Sequence, residues 1–213
     1  MQKNLVSRHS AIYHICNKSI ANYLIFRHEE NIERFLHVLE FYNQKTLGSF
    51  SRMKRGGSFQ PHGLLLQPHP EIVQFLAYCI MPDHYHLLIQ VLDIDLFVHY
   101  MNLVEISYSR YFNLYMGRKG PLWQSRFRQV TIDSDDLFLH VSRYIHLNPS
   151  TSNIVEDPEG WKWSSYYQLT HEPKLLSQLK YYSISNPVKY AHFVMNNIQY
   201  QRKMRQIKKL LPY

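Results

Sequence analysis

The chain has 213 residues, 24 Lys and Arg against 16 Asp and Glu, a formal charge of +8 and a pI of about 9.4. That length suits one domain able to bury a core without staples; two cysteines in apolar runs, Cys16 and Cys79, exclude a disulfide framework and read as small core residues; and no run reaches transmembrane length while residues 1–10 hold no apolar leader core, so a cytoplasmic protein is expected. The basic balance, with 17 Tyr, 11 Phe and 3 Trp interleaved among the cations, suits a polyanion binder, single-stranded nucleic acid in particular, where bases stack on rings and phosphates meet cations.

In chain order, Ala11 to Cys16 reads as a strand, broken by Asn17-Lys18-Ser19, and Tyr23 to Phe26 as a second short extended piece. Glu29 to Tyr42 is a helix, with Ile32, Phe35, Leu36, Leu39 and Tyr42 at helical spacing and acidic residues in its first turn. Residues 44–70 form a basic loop rich in Gly and Pro, carrying Arg52, Lys54 and Arg55; it reads as a solvated insertion before it reads as a phosphate-contacting arm. Ile72 to Met81 and His84 to Leu92 are two strands joined by a Pro82-Asp83 turn. Leu96 to Tyr115 is a long helix ended by Gly117 to Pro121, and the stretch from Leu122 turns into a strand on which Arg126 and Arg128 share a face. Asp133-Ser134-Asp135 offers N-caps for a helix running to about Leu147 and closed by Asn148-Pro149. Looser segments and a basic tail with Arg202, Lys203, Arg205, Lys208 and Lys209 follow. Strand, helix, hairpin, helix, strand, helix is an α+β order, a ferredoxin-like antiparallel sheet with helices on one or both faces and a basic C-terminal extension.

Two places in this order can carry chemistry. His84 and His86 are two apart on a strand, so their imidazoles share a face and Tyr85 points to the other. Converging imidazoles are half of a metal site; a solvent-facing pair is the plainer reading. On the last helix Leu137, Val141, Tyr144 and Asn148 share a face, with Tyr144 and Asn148 one turn apart. An amide oxygen there could complete a metal site beside a phenol, although a core tyrosine and a helix-ending asparagine are the commoner occupants of such positions. His146 faces elsewhere and reads as structural or DNA-contacting.

Three blocks, Tyr78-Cys79-Ile80-Met81-Pro82-Asp83-His84-Tyr85-His86-Leu87-Leu88, Leu122-Trp123-Gln124-Ser125-Arg126-Phe127 and Arg143-Tyr144-Ile145-His146-Leu147-Asn148-Pro149, resemble the HUH-type single-tyrosine transposases, specifically the REP-associated tyrosine transposase group. Trp163-Ser164-Ser165-Tyr166 is similar to that group as well, so the likeness runs from about Ile12 to about Tyr166 in the family's order. The resemblance implies a domain over residues 1–170 with an extension over 171–213. It implies a metal-dependent endonuclease and strand transferase of single-stranded hairpin DNA, working through a 5′-phosphotyrosine intermediate. Carried over by position, Tyr144 matches the nucleophile, His84 and His86 the paired metal ligands, and Asn148 the third ligand; the metal is Mg²⁺ or Mn²⁺. Lys18, Arg52, Lys54, Arg55, Arg118, Lys119, Arg126, Arg128 and the tail cations are the candidate phosphate contacts. A monomer is expected over a dimer.

The chain departs from the group where Ser150-Thr151-Ser152 follows Asn148-Pro149 in place of Val-Arg-Ala, where Asp83 stands for a frequent Asn, and in the length of the 44–70 insertion. Asp83 reads as a turn residue before a metal-shell carboxylate. A relaxase- or replication-initiator-like enzyme and a non-catalytic single-stranded DNA-binding protein of the same fold are the rival readings.

Overall fold

Alternation along the strands decides what each face of the sheet presents. In this computed structural model, which describes residues 11–45, 48–57, 59–179 and 181–203, β1 (Ile12–Lys18), β2 (Val73–Ile80), β3 (His84–Val91) and β4 (Arg128–Ile132) form one antiparallel sheet in the order β2-β3-β1-β4. Directly opposed residues share a face, so the register matters: Cys16 lies between His86 on β3 and Arg128 on β4, and Tyr13 stands opposite Ile89. One face carries Tyr13, Ile15, Tyr85, Leu87 and Ile89 and packs with the larger of two apolar clusters. The other carries Ile12 and Leu88 toward the second cluster, and His14, Cys16, His84 and His86 toward one end. A bulge between Phe75 and Ala77 turns both Leu76 and Ala77 to this second side.

On the first face lie α1 (Glu29–Tyr42) and α3 (Ile94–Tyr115), whose Ile32, Phe35, Val38, Phe97, Met101, Val104 and Tyr108 fill the space against the sheet. Asp93 caps α3 by accepting from the Leu96 N–H. Gly117, at φ +61° just past Met116, gives α3 the left-handed exit that a side chain would resist. On the second face lies α4 (Asp135–Thr151), capped by Ser134 and buried through Phe138, Ile145 and Leu147. Sheet order and connections are the α+β, ferredoxin-like layout read from the sequence, with helices on both faces.

Several local readings are corrected. Tyr23 to Phe26 is no strand: a turn over Ile20–Asn22, with Ala21 and Asn22 at φ +51° and +56°, lowers Ile25 and Phe26 into the core from a loop. β1 does not stop at Asn17, because that side chain is buried and donates to Glu105 at 2.7 Å and to the Ser125 carbonyl at 3.0 Å. Helix α4 runs through Pro149 to Thr151. The proline sits in the last turn, where the main-chain bond it removes is the one to Ile145, and the Thr151 and Ser152 hydroxyls and the Ser152 N–H all donate to the Asn148 carbonyl. The insertion is not merely solvated. It contains α2 (Phe50–Arg55), whose Phe50 is fully buried under the Arg34 guanidinium, while Leu64 joins the first core and Glu40 accepts from the His62 and Gly63 N–H groups.

Past Trp163 the chain is built, not loose. Main-chain bonds from Ile80 to Trp163 and from Ser165 to Tyr78 cover the outer edge of β2. Then α5 (Tyr166–His171), α6 (Pro173–Gln178) and α7 (Pro187–Met195) bring Leu169, Leu175, Leu176, Tyr190 and Val194 against α4. Residues 198–203 are again helical, and the tail cations from Arg205 onward lie outside the described residues. Among the described residues no helix is long and apolar enough to cross a membrane.

Candidate active site

The gap between the polar end of the second face and α4 is a cavity of about 670 Å³. Lys18, Cys16, His84, His86 and Arg128 line it from the sheet, and Tyr144, Asn148 and Thr151 from α4. Gln124 and Ser125 contribute from the loop before β4, and Tyr200 and Gln201 from the last described helix. All four residues that the sequence singled out for chemistry, His84, His86, Tyr144 and Asn148, therefore border one cavity. The imidazole of His86 is edge-on to that of His84, ring centres 5.0 Å apart, and edge-on to the Tyr144 ring at 5.4 Å. Tyr144 is 43% exposed, a tyrosine held by its edges rather than swallowed by the core.

Neighbours set each orientation. The Asp83 carboxylate takes a 2.5 Å hydrogen bond from His84 Nδ1 and a 3.3 Å ion pair from Lys18. Burial would raise that carboxyl, but the His84 bond and the charges of His84 and Lys18 outweigh it and hold it below the usual carboxylate range. With Nδ1 so engaged, Nε2 is the ring nitrogen left to a ligand, the arrangement in which a carboxylate orients a histidine. The turn residue expected at position 83 thus also positions His84. Asn148 donates through Nδ2 to the Tyr144 carbonyl at 3.1 Å, so its oxygen is the atom that can accept or ligate. His146 is fully buried and bonds Tyr190 at 2.8 Å and Ser165 at 2.9 Å. Burial lowers its pKa to about 3, so it is a neutral strut between α4, α7 and the β2 edge, not a DNA contact.

The sequence reading missed two residues. His14 and Cys16 on β1 share the face of His86, and His14 Nε2 lies 2.9 Å from His86 Nδ1. One ligand atom from each of His14, Cys16 and His86 falls within 4.8 Å of the others, a set able to hold a metal ion. Burial lowers the His14 pKa to about 4, so its imidazole is neutral at pH 7. Burial raises the Cys16 thiol, with Arg128 pulling the other way. The signal was present, since positions 14 and 16 alternate as 84 and 86 do; what alternation cannot tell is that β1 lies beside β3 with Cys16 opposite His86. Cys79 is the small core residue expected; Cys16 is half-buried and borders the cavity.

The candidate cations divide. Lys18 and Arg128 border the cavity. Arg126 and Lys119 are exposed on the loops leading to β4. Arg118 stacks on Tyr23 and bonds Asn113 and the Pro121 carbonyl, closing the turn after α3. Arg52, Lys54 and Arg55 are exposed on α2, which packs on the α1 side.

The family model described as "Transposase IS200 like" matches residues 70–148, which run from the start of the hairpin through Tyr144 and Asn148. A candidate REP-associated tyrosine transposase of Haemophilus influenzae is 31% identical over 104 residues, 44% of this chain and 58% of that protein. The chain thus spans about three fifths of the length of the curated relative it matches. Among solved structures, a REP-associated tyrosine transposase bound to a REP hairpin aligns with a TM-score of 0.47 at 15% identity, over 81% of this chain and 85% of that one. A candidate transposase from Deinococcus radiodurans aligns with a TM-score of 0.37 at 14% identity, over 68% and 95%. Over the residues they cover, the family model and the curated relative agree with the resemblance read from the motif blocks.

Proposed function

We propose that this protein is a transposase-type endonuclease and strand transferase that acts on single-stranded hairpin DNA, with Tyr144 as nucleophile and a divalent cation held by His84, His86 and Asn148. The observation that carries the reading is the half-exposed Tyr144 ring standing edge-on to His86 across a cavity that Lys18 and Arg128 border. The IS200-like match over residues 70–148 covers the histidine strand and the tyrosine helix together.

The donor set fits a cation. Two imidazoles and an amide oxygen converge on the cavity, one imidazole oriented by Asp83, with hard and nitrogen-accepting ions such as Mg²⁺ and Mn²⁺ in reach of the mixed set and Mn²⁺ the better suited to nitrogen. When bound, such an ion supplies charge to the non-bridging oxygens of a phosphodiester and steadies the charge that builds there. The remaining work falls to the chain. A phenol is a weak nucleophile near neutral pH, so position matters. The edge contacts to His86 and His14 hold the Tyr144 ring at the cavity mouth, ring centres 5.4 and 6.2 Å away. Its Oη attacks phosphorus, the bond to the 3′-oxygen breaks, and the products are a 5′-phosphotyrosine and a strand ending in a 3′-hydroxyl. The bond energy stays in the phosphotyrosine, so religation needs no nucleotide. Neutral His14 places no second positive charge beside the phenol at pH 7. Lys18 and Arg128 hold the backbone on either side.

The test incubates the protein with Mn²⁺ and labelled single-stranded hairpins and looks for a covalent adduct on a denaturing gel. An adduct that vanishes in Tyr144→Phe is expected. An adduct that persists in that variant removes Tyr144 from the role, and a salt-sensitive hairpin affinity with no adduct in either protein leaves a binding module.

A further inference from the structure

We infer that His14, Cys16 and His86 form a second metal site, one for a thiophilic divalent ion such as Zn²⁺, Cd²⁺ or Co²⁺, and that filling it shuts off the Mg²⁺ or Mn²⁺ site by claiming His86. The competition half of this inference rests on the proposed role of His86; the site itself does not.

The geometry comes from the sheet. Cys16 and His86 are directly opposed on neighbouring strands, and His14 is two residues from Cys16 on the same face. Directly opposed residues have Cβ atoms about 5 Å apart, so both side chains reach one point without backbone movement. The ligand atoms lie within 4.8 Å of one another, and the two nearest imidazole nitrogens are 2.9 Å apart. Two nitrogens on one tetrahedral zinc sit roughly 3.4 Å apart, given bonds of about 2.0–2.1 Å. An opening of half an ångström at the His14–His86 contact therefore admits an ion, and the hydrogen bond now between the rings gives way to two metal bonds.

The chemistry differs from that of the proposed catalytic set. A thiolate with two imidazoles is a soft-to-borderline donor set that binds Zn²⁺, Cd²⁺ and Co²⁺ and gives Mg²⁺ nothing it prefers. His84, His86 and Asn148 offer no sulfur. A neutral imidazole keeps a proton on one ring nitrogen and has a lone pair for a metal on the other, so His86 serves one cation at a time. Three protein ligands leave a fourth coordination position to fill, and two of them, Cys16 and His86, border the cavity.

The test begins with chelator-treated full-length protein titrated with Co²⁺. A thiolate-to-cobalt charge-transfer band with strong four-coordinate visible bands is expected, lost in Cys16→Ser and in His14→Ala and kept in His84→Ala. Circular dichroism and melting of the two losing variants confirm that they fold. As a second reading on the unmutated protein, Zn²⁺ should protect Cys16 from iodoacetamide while Mn²⁺ does not; Cys79 is fully buried and does not interfere. Absence of the band, together with unprotected alkylation, overturns the site. For the competition, one equivalent of Zn²⁺ should abolish Mn²⁺-supported adduct formation in the wild type and leave Cys16→Ser at its own Mn²⁺-only rate. A cobalt band with adduct formation indifferent to Zn²⁺ keeps the site and overturns the competition. A band in a protein that never forms an adduct keeps the site and counts against the transposase reading, so the two failures separate.

Discussion

The two faces of this sheet are built from the same four strands and do opposite things. The face under α1 and α3 is mostly apolar, and where it turns polar its groups pair with α3: the Glu105 carboxylate takes hydrogen bonds from Asn17 and from the Tyr85 hydroxyl, each at 2.7 Å. The face under α4 is apolar for half its length and then ends in two imidazoles, a thiol and an arginine around a cavity, with the His14 ring bonded to His86. The boundary is sharp because of side-chain alternation: Tyr85 fills the first core while His84 and His86 on either side of it face the cavity. A fully packed face makes a stiff platform, and stiffness on one side is what lets polar groups on the other be held in place without packing of their own.

That contrast predicts opposite phenotypes. His86→Ala should abolish divalent-metal binding with only a modest loss of stability, and an unchanged Mn²⁺ affinity by titration would strike His86 from the ligand set. On the other face Ile15→Ala should cost about 2–5 kcal/mol in denaturant unfolding by leaving a cavity in a fully buried cluster, with Mn²⁺ affinity kept in the folded fraction. If the two substitutions behaved alike, platform and site would not be separable.

Glu105 sharpens the comparison through pH. Burial raises its pKa above the usual carboxylate value, even though the bonds from Asn17 and Tyr85 pull it down. A raised folded pKa means that the native state keeps a proton the unfolded chain has released, so stability falls as pH rises from about 4.5 through the folded value. Glu105→Gln removes the ionisation and keeps an oxygen for both donors. Its stability relative to wild type should therefore climb between pH 4.5 and 7, at ~1.4 kcal/mol per unit of pKa difference. A flat difference across that range would mean that Glu105 is not shifted.

Much of the platform was legible in the sequence, because helical spacing at Ile32, Phe35 and Leu39 and alternation around Tyr85 each report burial directly. The site was half legible. His84, His86, Tyr144 and Asn148 could be read from motif blocks, whereas His14 and Cys16 are one His and one Cys in an ordinary-looking strand, and only the pairing of β1 with β3 gives them partners. The second core was the least legible. Its apolar residues past Tyr166 are scattered over three short helices, α5, α6 and α7, too short to show a period. Pro149 misled, and His146 stayed open between a structural and a DNA-contacting role, for the same reason: a buried hydrogen bond to Tyr190, 44 residues on, and a proline absorbed in a last turn are tertiary facts.

The smallest effects concern which face the DNA follows. Arg128 borders the cavity on the exposed edge strand, so Arg128→Ala should weaken hairpin binding and lower the slope of log affinity against log salt by about one, the signature of one lost phosphate contact. Arg52, Lys54 and Arg55 also carry exposed charge, but α2 rests on the α1 side, with the sheet between it and Tyr144. Replacing all three by Ala should therefore change the salt slope by less than the single Arg128 substitution does, and should leave adduct formation at Tyr144 intact. A slope change near three would mean that the bound strand continues around the sheet edge onto the α1 side, making the packed insertion part of the DNA path and both faces of the sheet part of one recognition surface.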